Sequence, residues 1–244
     1  MTLDRRTFVG LLLLGGAGCS SRRGQPAVRR AARYLWDHQA EDGGWHSKTY
    51  GLLESGQSLT PFVLDALLEE PAPPTAKVER AFDFLKRHTN AEGALGCDDP
   101  ALADYPNYAT ALAITALCRA RRRQLVAPMI EYLRSQQFTE QNGWQRDDAP
   151  YGAWGMGGKR HMAPHPGHVD LSMTRYVLEA LAAAGVPPGD PALQKARVFL
   201  ERCGGADGGF FFTTVVLDAN KAGREGDAYR SYGTTTADGI LALL

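Results

Sequence analysis

The sequence predicts an all-α protein of four consecutive helix pairs, on three observations. Four segments carry helical apolar spacing and end in an aromatic–leucine pair. Each is followed by a glycine turn bearing a bulky apolar residue. Four later segments share their columns when Leu67, Leu117, Leu181 and Leu243 are aligned. Ala66, Ala116, Ala180 and Ala242 then stand together, as do Leu64, Ile114, Leu178 and Ile240 three residues before the leucine. Thr60, Thr110, Thr174 and Thr236 fall seven before it. Such spacing marks one stripe of a helix, and its recurrence marks a repeat.

The elements follow in order. The first helix of each pair is expected over Ala27–Gln39, Ala76–His88, Gln124–Gln137 and Pro191–Cys203, with the pairs Tyr34-Leu35, Phe84-Leu85, Tyr132-Leu133 and Phe199-Leu200. Glycine stops a helix by adopting the left-handed conformation. The turns read Gly43-Gly44-Trp45, Gly93-Ala94-Leu95, Asn142-Gly143-Trp144 and Gly208-Gly209-Phe210. The second helices are expected to start near residues 58, 108, 172 and 234, with the aligned Ala and Leu columns buried. From aromatic–leucine to final leucine the spacing is 32 residues in repeats one and two, 48 in repeat three and 43 in repeat four. Repeats three and four therefore carry inserts. The first holds residues 151–158 and a histidine-rich stretch; the second holds Phe210–Leu217, read as a strand.

Composition narrows the function. With 27 basic and 27 acidic residues the net charge is zero, so binding nucleic acid by counterion release is excluded. Four cysteines are too few for a disulfide scaffold. Residues 1–25 read as an address and 26–244 as the repeat domain. Arg5-Arg6 ahead of Phe8 and a run of about ten apolar residues fits an export signal and falls short of a ~30 Å membrane span. The arginine pair resembles a twin-arginine signal. Ala17-Gly18-Cys19 resembles a lipobox, which implies a lipid anchor on Cys19 and a periplasmic or membrane-anchored location.

Leu35-x3-Gln39-x3-Gly43-Gly44-Trp45 and Leu133-x3-Gln137-x5-Gly143-Trp144 resemble the QW motif of squalene cyclases. Helix pairs of about fifty residues resemble the α/α-toroid shared by terpene cyclases and prenyltransferase β-subunits. The resemblance implies outer and inner helices in concentric rings, with a site at the mouth where inner-helix N-termini meet. Such toroids close with five to seven pairs, so an incomplete ring of four is expected here. The cyclase acid motif ends at the threonine column, where this chain reads Ser58-Leu59, Tyr108-Ala109, Ser172-Met173 and Thr234-Thr235, none acidic. The transferase zinc site needs Asp-x-Cys, where Asp170-Leu171-Ser172 stands, and no histidine follows in 229–234. The resemblance therefore points to an exported repeat protein that binds an isoprenoid-like or other small molecule, or a partner, at the mouth. The alternative is an enzyme whose catalytic group lies beyond residue 244.

The candidate ligand-binding residues are Asp170, His168, His165, His161, Trp154 and Tyr232. Three histidines and Asp170 crowd into 161–170, a set that suits a metal, yet two prolines and a glycine make the stretch a loop with no imposed geometry, and no metal is assigned. Asp170 lies four residues before Thr174, where it either looks into the mouth or caps the helix. Trp154, Phe62, Tyr176 and Tyr232 line a cavity or form plain core. No cofactor is assigned.

Overall fold

The computed structural model describes residues 25–97 and 104–244, and among them the protein is all-α. Arg5, Arg6 and Cys19 lie outside the described residues. Eight α-helices occur there: α1 (Gln25–Asp37), α2 (Leu59–Leu67), α3 (Thr75–His88), α4 (Pro106–Arg119), α5 (Val126–Gln136), α6 (Leu171–Ala183), α7 (Pro191–Arg202) and α8 (Gly233–Leu243). The odd helices begin and end, and the even helices begin, within about two residues of the expected positions. No described helix is long and apolar enough to cross a membrane. Helix α1 belongs to a unit that runs to Gln39 and includes Leu244; Ala40–Leu243 form the other.

In the larger unit the even helices pack side by side in chain order, α2 on α4, α4 on α6 and α6 on α8. Each of α3, α5 and α7 packs on the even helix before it. Leu64, Leu67, Ile114, Leu117, Leu178 and Leu181 are buried, each worth about 1.5–3 kcal/mol. The aligned columns are otherwise unevenly covered. Ala116 and Ala180 are buried, whereas Ala66, Ile240 and Leu243 are exposed. Ala66 belongs to the first even helix of that row, and Ile240 and Leu243 to the last.

Bonds between repeats fix the stacking. Arg134 grips Asp190 with two bonds of 2.9 and 2.7 Å, while Asp190 caps α7 through the Ala192 N–H. Arg119 Nε reaches Asp65 at 2.6 Å, tying α4 to α2. The expected strand at Phe210–Leu217 does not form. Asn220 Oδ1 accepts the Phe212 and Thr213 N–H groups and Thr213 Oγ1 accepts that of Val215, so side chains satisfy donors that a ladder would need. The strands found are β1 (Arg224–Glu225) and β2 (Ala228–Tyr229), an antiparallel pair.

The threonine column has a shared task. Thr60 accepts the Trp45 N–H, Thr110 that of Leu95, Thr174 that of Trp154 and Thr236 that of Phe210, at 2.9 to 3.3 Å. Each hydroxyl thus clasps the bulky residue of its own turn. The clasp spans 15, 15, 20 and 26 residues. This corrects the expected turn of repeat three, which is Gly152-Ala153-Trp154 and not Gly143-Trp144. The backbone agrees: Gly43, Gly93, Gly152 and Gly208 all have φ between 82 and 93°. Their N–H groups bond the carbonyls of Ala40, Asn90, Phe138 and Gly205. The insert of repeat three is therefore split, with residues 139–149 ahead of the turn and five extra residues behind it.

The turn glycines are the docking points between repeats. A Cβ on Gly43 would lie 2.2 Å from the Arg80 carbonyl oxygen of α3; on Gly93, 2.3 Å from that of Pro128 in α5; on Gly152, 1.9 Å from that of Lys195 in α7. No side chain fits there. Gln137 completes the third contact, its buried amide donating to the Gly152 and Ala192 carbonyls at 2.8 Å each.

Candidate functional site at the start of α6

The two inserts meet at Val169–Leu171. Gly155 bridges to Val169 within repeat three. From repeat four, the Phe212 carbonyl accepts the Leu171 N–H at 2.9 Å and Thr213 Oγ1 donates to the Val169 carbonyl at 2.5 Å. Asp170 is thereby held between two loops as the N-cap of α6. One carboxylate oxygen accepts the Met173 N–H at 2.7 Å; the other lies 3.0 Å from His168 Nε2. Both oxygens are engaged, and the residue is buried.

The Asp170 hydrogen bond, outweighing partial burial, raises the His168 pKa above its ordinary value. A raised value means the charged pair stabilises the fold fully below the ordinary pKa of about 6.5, and that contribution is lost as pH climbs through the raised one. The stability difference between wild type and His168→Gln should therefore shrink from pH 5.5 to pH 9 in denaturant titrations. An equal difference at both pH values would show that the imidazolium adds nothing. The ring of His168 also lies 6.0 Å from Phe212. Burial, and then the Asp170 charge, push the Cys203 thiol up, so it is no nucleophile at neutral pH.

The remaining candidates separate. His161 stacks on Phe138 with centroids 6.4 Å apart, and its carbonyl accepts the Trp144 indole N–H. His165 is exposed. Among the described residues no group of three or more His, Cys, Asp or Glu is placed to hold a metal. Trp154 is wholly buried and donates to the Leu133 carbonyl at 2.7 Å, so it is core and not a cavity wall. Tyr232 lies at the start of α8 and lines an open cavity of about 520 Å³ with Ser231, Gly209, Thr236 and Ile240. Phe62 is half exposed on α2.

A polar patch on the even helices was not foreseen. Ser172 Oγ donates to Asp238 Oδ2 of α8, and Arg175 Nε lies 3.0 Å from Asp238 Oδ1. Arg175 also binds Glu179 at 2.7 Å and covers the Tyr176 ring at 3.6 Å, while Tyr108 meets Tyr176 edge-on at 4.7 Å. Burial raises the Tyr108 pKa, so its hydroxyl stays protonated. The signal was present in the helical spacing of Ser172, Arg175 and Glu179, but their partner Asp238 stands 66 residues from Ser172. Elsewhere on the third insert, Glu140 accepts from Lys195 and Tyr151 at 2.6 Å each. Lys195 first, then Tyr151, lowers its pKa to about 2.

The arrangement can donate hydrogen bonds from His168 and Tyr232, while the Arg175 charge is met by Glu179 and Asp238. It has no unengaged acid at α6. No protein-family model matches this chain, and no curated protein matches it at a significant level.

Proposed function

We propose that this chain is an exported α/α-toroid repeat protein, similar to squalene cyclases and prenyltransferases in architecture, that binds a small molecule at the rim around α6 without cyclising it. One observation carries the reading: both Asp170 oxygens are committed, to the Met173 N–H and to His168. Protonating an alkene needs a strong, free carboxylic acid, whereas Asp170 is a paired carboxylate. The row of even helices and the turn-to-helix docking support a toroidal course. The second ring nitrogen of His168 and the Tyr232 hydroxyl would then meet a polar or anionic group, an isoprenoid diphosphate among the candidates.

The test incubates the purified protein with squalene and with farnesyl diphosphate, and measures product and binding separately. Calorimetry should detect a bound ligand with no product, and His168→Ala should weaken binding about tenfold, the loss of one charge-assisted contact. Cyclised product that disappears in Asp170→Asn would replace this reading with an enzyme. Neither binding nor turnover of either compound would remove the isoprenoid ligand.

A further inference from the structure

The contact that joins neighbouring repeats occurs three times among the described residues, where each of its two halves also occurs once without the other. One half is a turn glycine with the even helix behind it. Gly43, Gly93 and Gly152 each abut an odd-helix backbone, whereas a Cβ on Gly208 would meet nothing within 4 Å among the described residues. Beside it lies the open cavity lined by Asp207, Gly209 and Ile240. Ile240 is 47% exposed, while its column mates Leu64 and Ile114 are fully buried.

The other half is the odd-helix stripe. Val78, Ala81 and Phe84 of α3 are buried, as are Val126, Met129 and Tyr132 of α5. The Phe84 ring lies against Gly44 of the turn before it, leaving no room for a Cβ there. The same columns in α1 hold Val28, Ala31 and Tyr34. All three are exposed, Val28 at 66% and Tyr34 at 61%.

Charge matches as well. In repeat one, Asp42 and Arg80 border a common cavity, Arg80 standing four residues before Phe84. In repeat three, Glu140 binds Lys195, four residues before Phe199. The unpaired halves carry the same signs: Arg30 stands four residues before Tyr34, and Asp207 holds the turn place of Asp42. Like Asp42, Asp207 accepts the N–H two residues on, that of Gly209.

We infer that α1 of a second copy of this chain docks on the Gly208 face, seating Val28, Ala31 and Tyr34 beside Ile240 and setting Arg30 against Asp207. The interface is head-to-tail, because one copy offers the helix and the other the turn. Such contacts propagate, into a closed ring if the rotation permits and an open row if it does not. It continues the stacking already present inside the molecule, as repeat proteins do at every internal joint.

Sedimentation of the purified 244-residue chain across a concentration series tests this. The mass should rise with concentration from the 26.5 kDa monomer through dimers and larger species. Tyr34→Glu should weaken association about thirtyfold or more, as loss of a central aromatic anchor does. Asp207→Arg and Arg30→Asp should each disrupt assembly, and an equimolar mixture of the two should restore it, because each unlike pair then has opposite charges. Circular dichroism of every variant should match wild type, which separates lost docking from lost folding. A chain that stays monomeric at every concentration would overturn the inference. So would a folded Tyr34→Glu variant that assembles like wild type, or single charge variants whose mixture gains nothing.

Discussion

Gly152→Ala should destabilise the protein by roughly 2–5 kcal/mol. Two costs combine. The left-handed φ of 86° disfavours an L side chain by about 1–2 kcal/mol. The new Cβ would sit 1.9 Å from the Lys195 carbonyl oxygen, and relieving that overlap moves α7 at about 1–3 kcal/mol. Gly185→Ala is the control. Its φ is 87°, but nothing among the described residues lies within 4 Å of the added carbon, so only the conformational cost applies. Urea titrations of both variants give the comparison. Equal losses would mean that Gly152 serves its own turn alone and that the close approach of α7 is not a docking point.

Trp154→Ala should cost about 4 kcal/mol, near the middle of the range for truncating a fully buried aromatic. The lost volume cannot be recovered by local collapse, because Thr174 clasps the backbone of residue 154 from below and Gly152 is pinned against α7. The Leu133 carbonyl also loses the indole N–H. Restoring part of the volume with Trp154→Phe should recover more than half of the loss, again read by urea midpoint. A cost below 1 kcal/mol would show that Trp154 is peripheral and that the repeat-three turn lies elsewhere.

The helices were legible because each rests on local signals. Proline and a capping aspartate open α7, and the Thr, Ile/Leu and Leu columns repeat at helical spacing. The repeat-three turn was misplaced for a physical reason. Asn142-Gly143-Trp144 has the composition of a turn and does form one, with Gly143 at φ 81°. What distinguishes the docking turn is a bond from residue 154 to residue 174, and spacing alone does not rank two glycine–tryptophan sites. The threonines themselves are visible as a column seven residues before the leucine, but the group each one holds is not. Their hydroxyls turned outward, to a turn 15 or more residues earlier, is tertiary information.

The candidate site was legible in part. Asp170 and His168 do come together, which their position before α6 suggested. The wider histidine cluster does not, since each ring follows its own neighbour: Phe138 for His161, Asp170 for His168. Tyr232 comes near Asp170 and Asp238 only through a loop of repeat four. The ion pair of Arg175 with Asp238 depends on the packing of α6 against α8, which no stretch of sequence contains.

The threonine clasps also say something about chain entropy. They close loops of 15 residues in repeats one and two and of 26 in repeat four. Closing a flexible loop grows costlier only with the logarithm of its length, so the extra eleven residues cost about 0.5 kcal/mol. One hydroxyl-to-backbone bond outweighs that. Segments can therefore lengthen between turn and helix with almost no loss to the scaffold, while the segment that crosses the glycine contact cannot change by a single methyl group. Variation in this architecture is confined to one edge by polymer statistics, and that edge is where the two inserts and Asp170 are found.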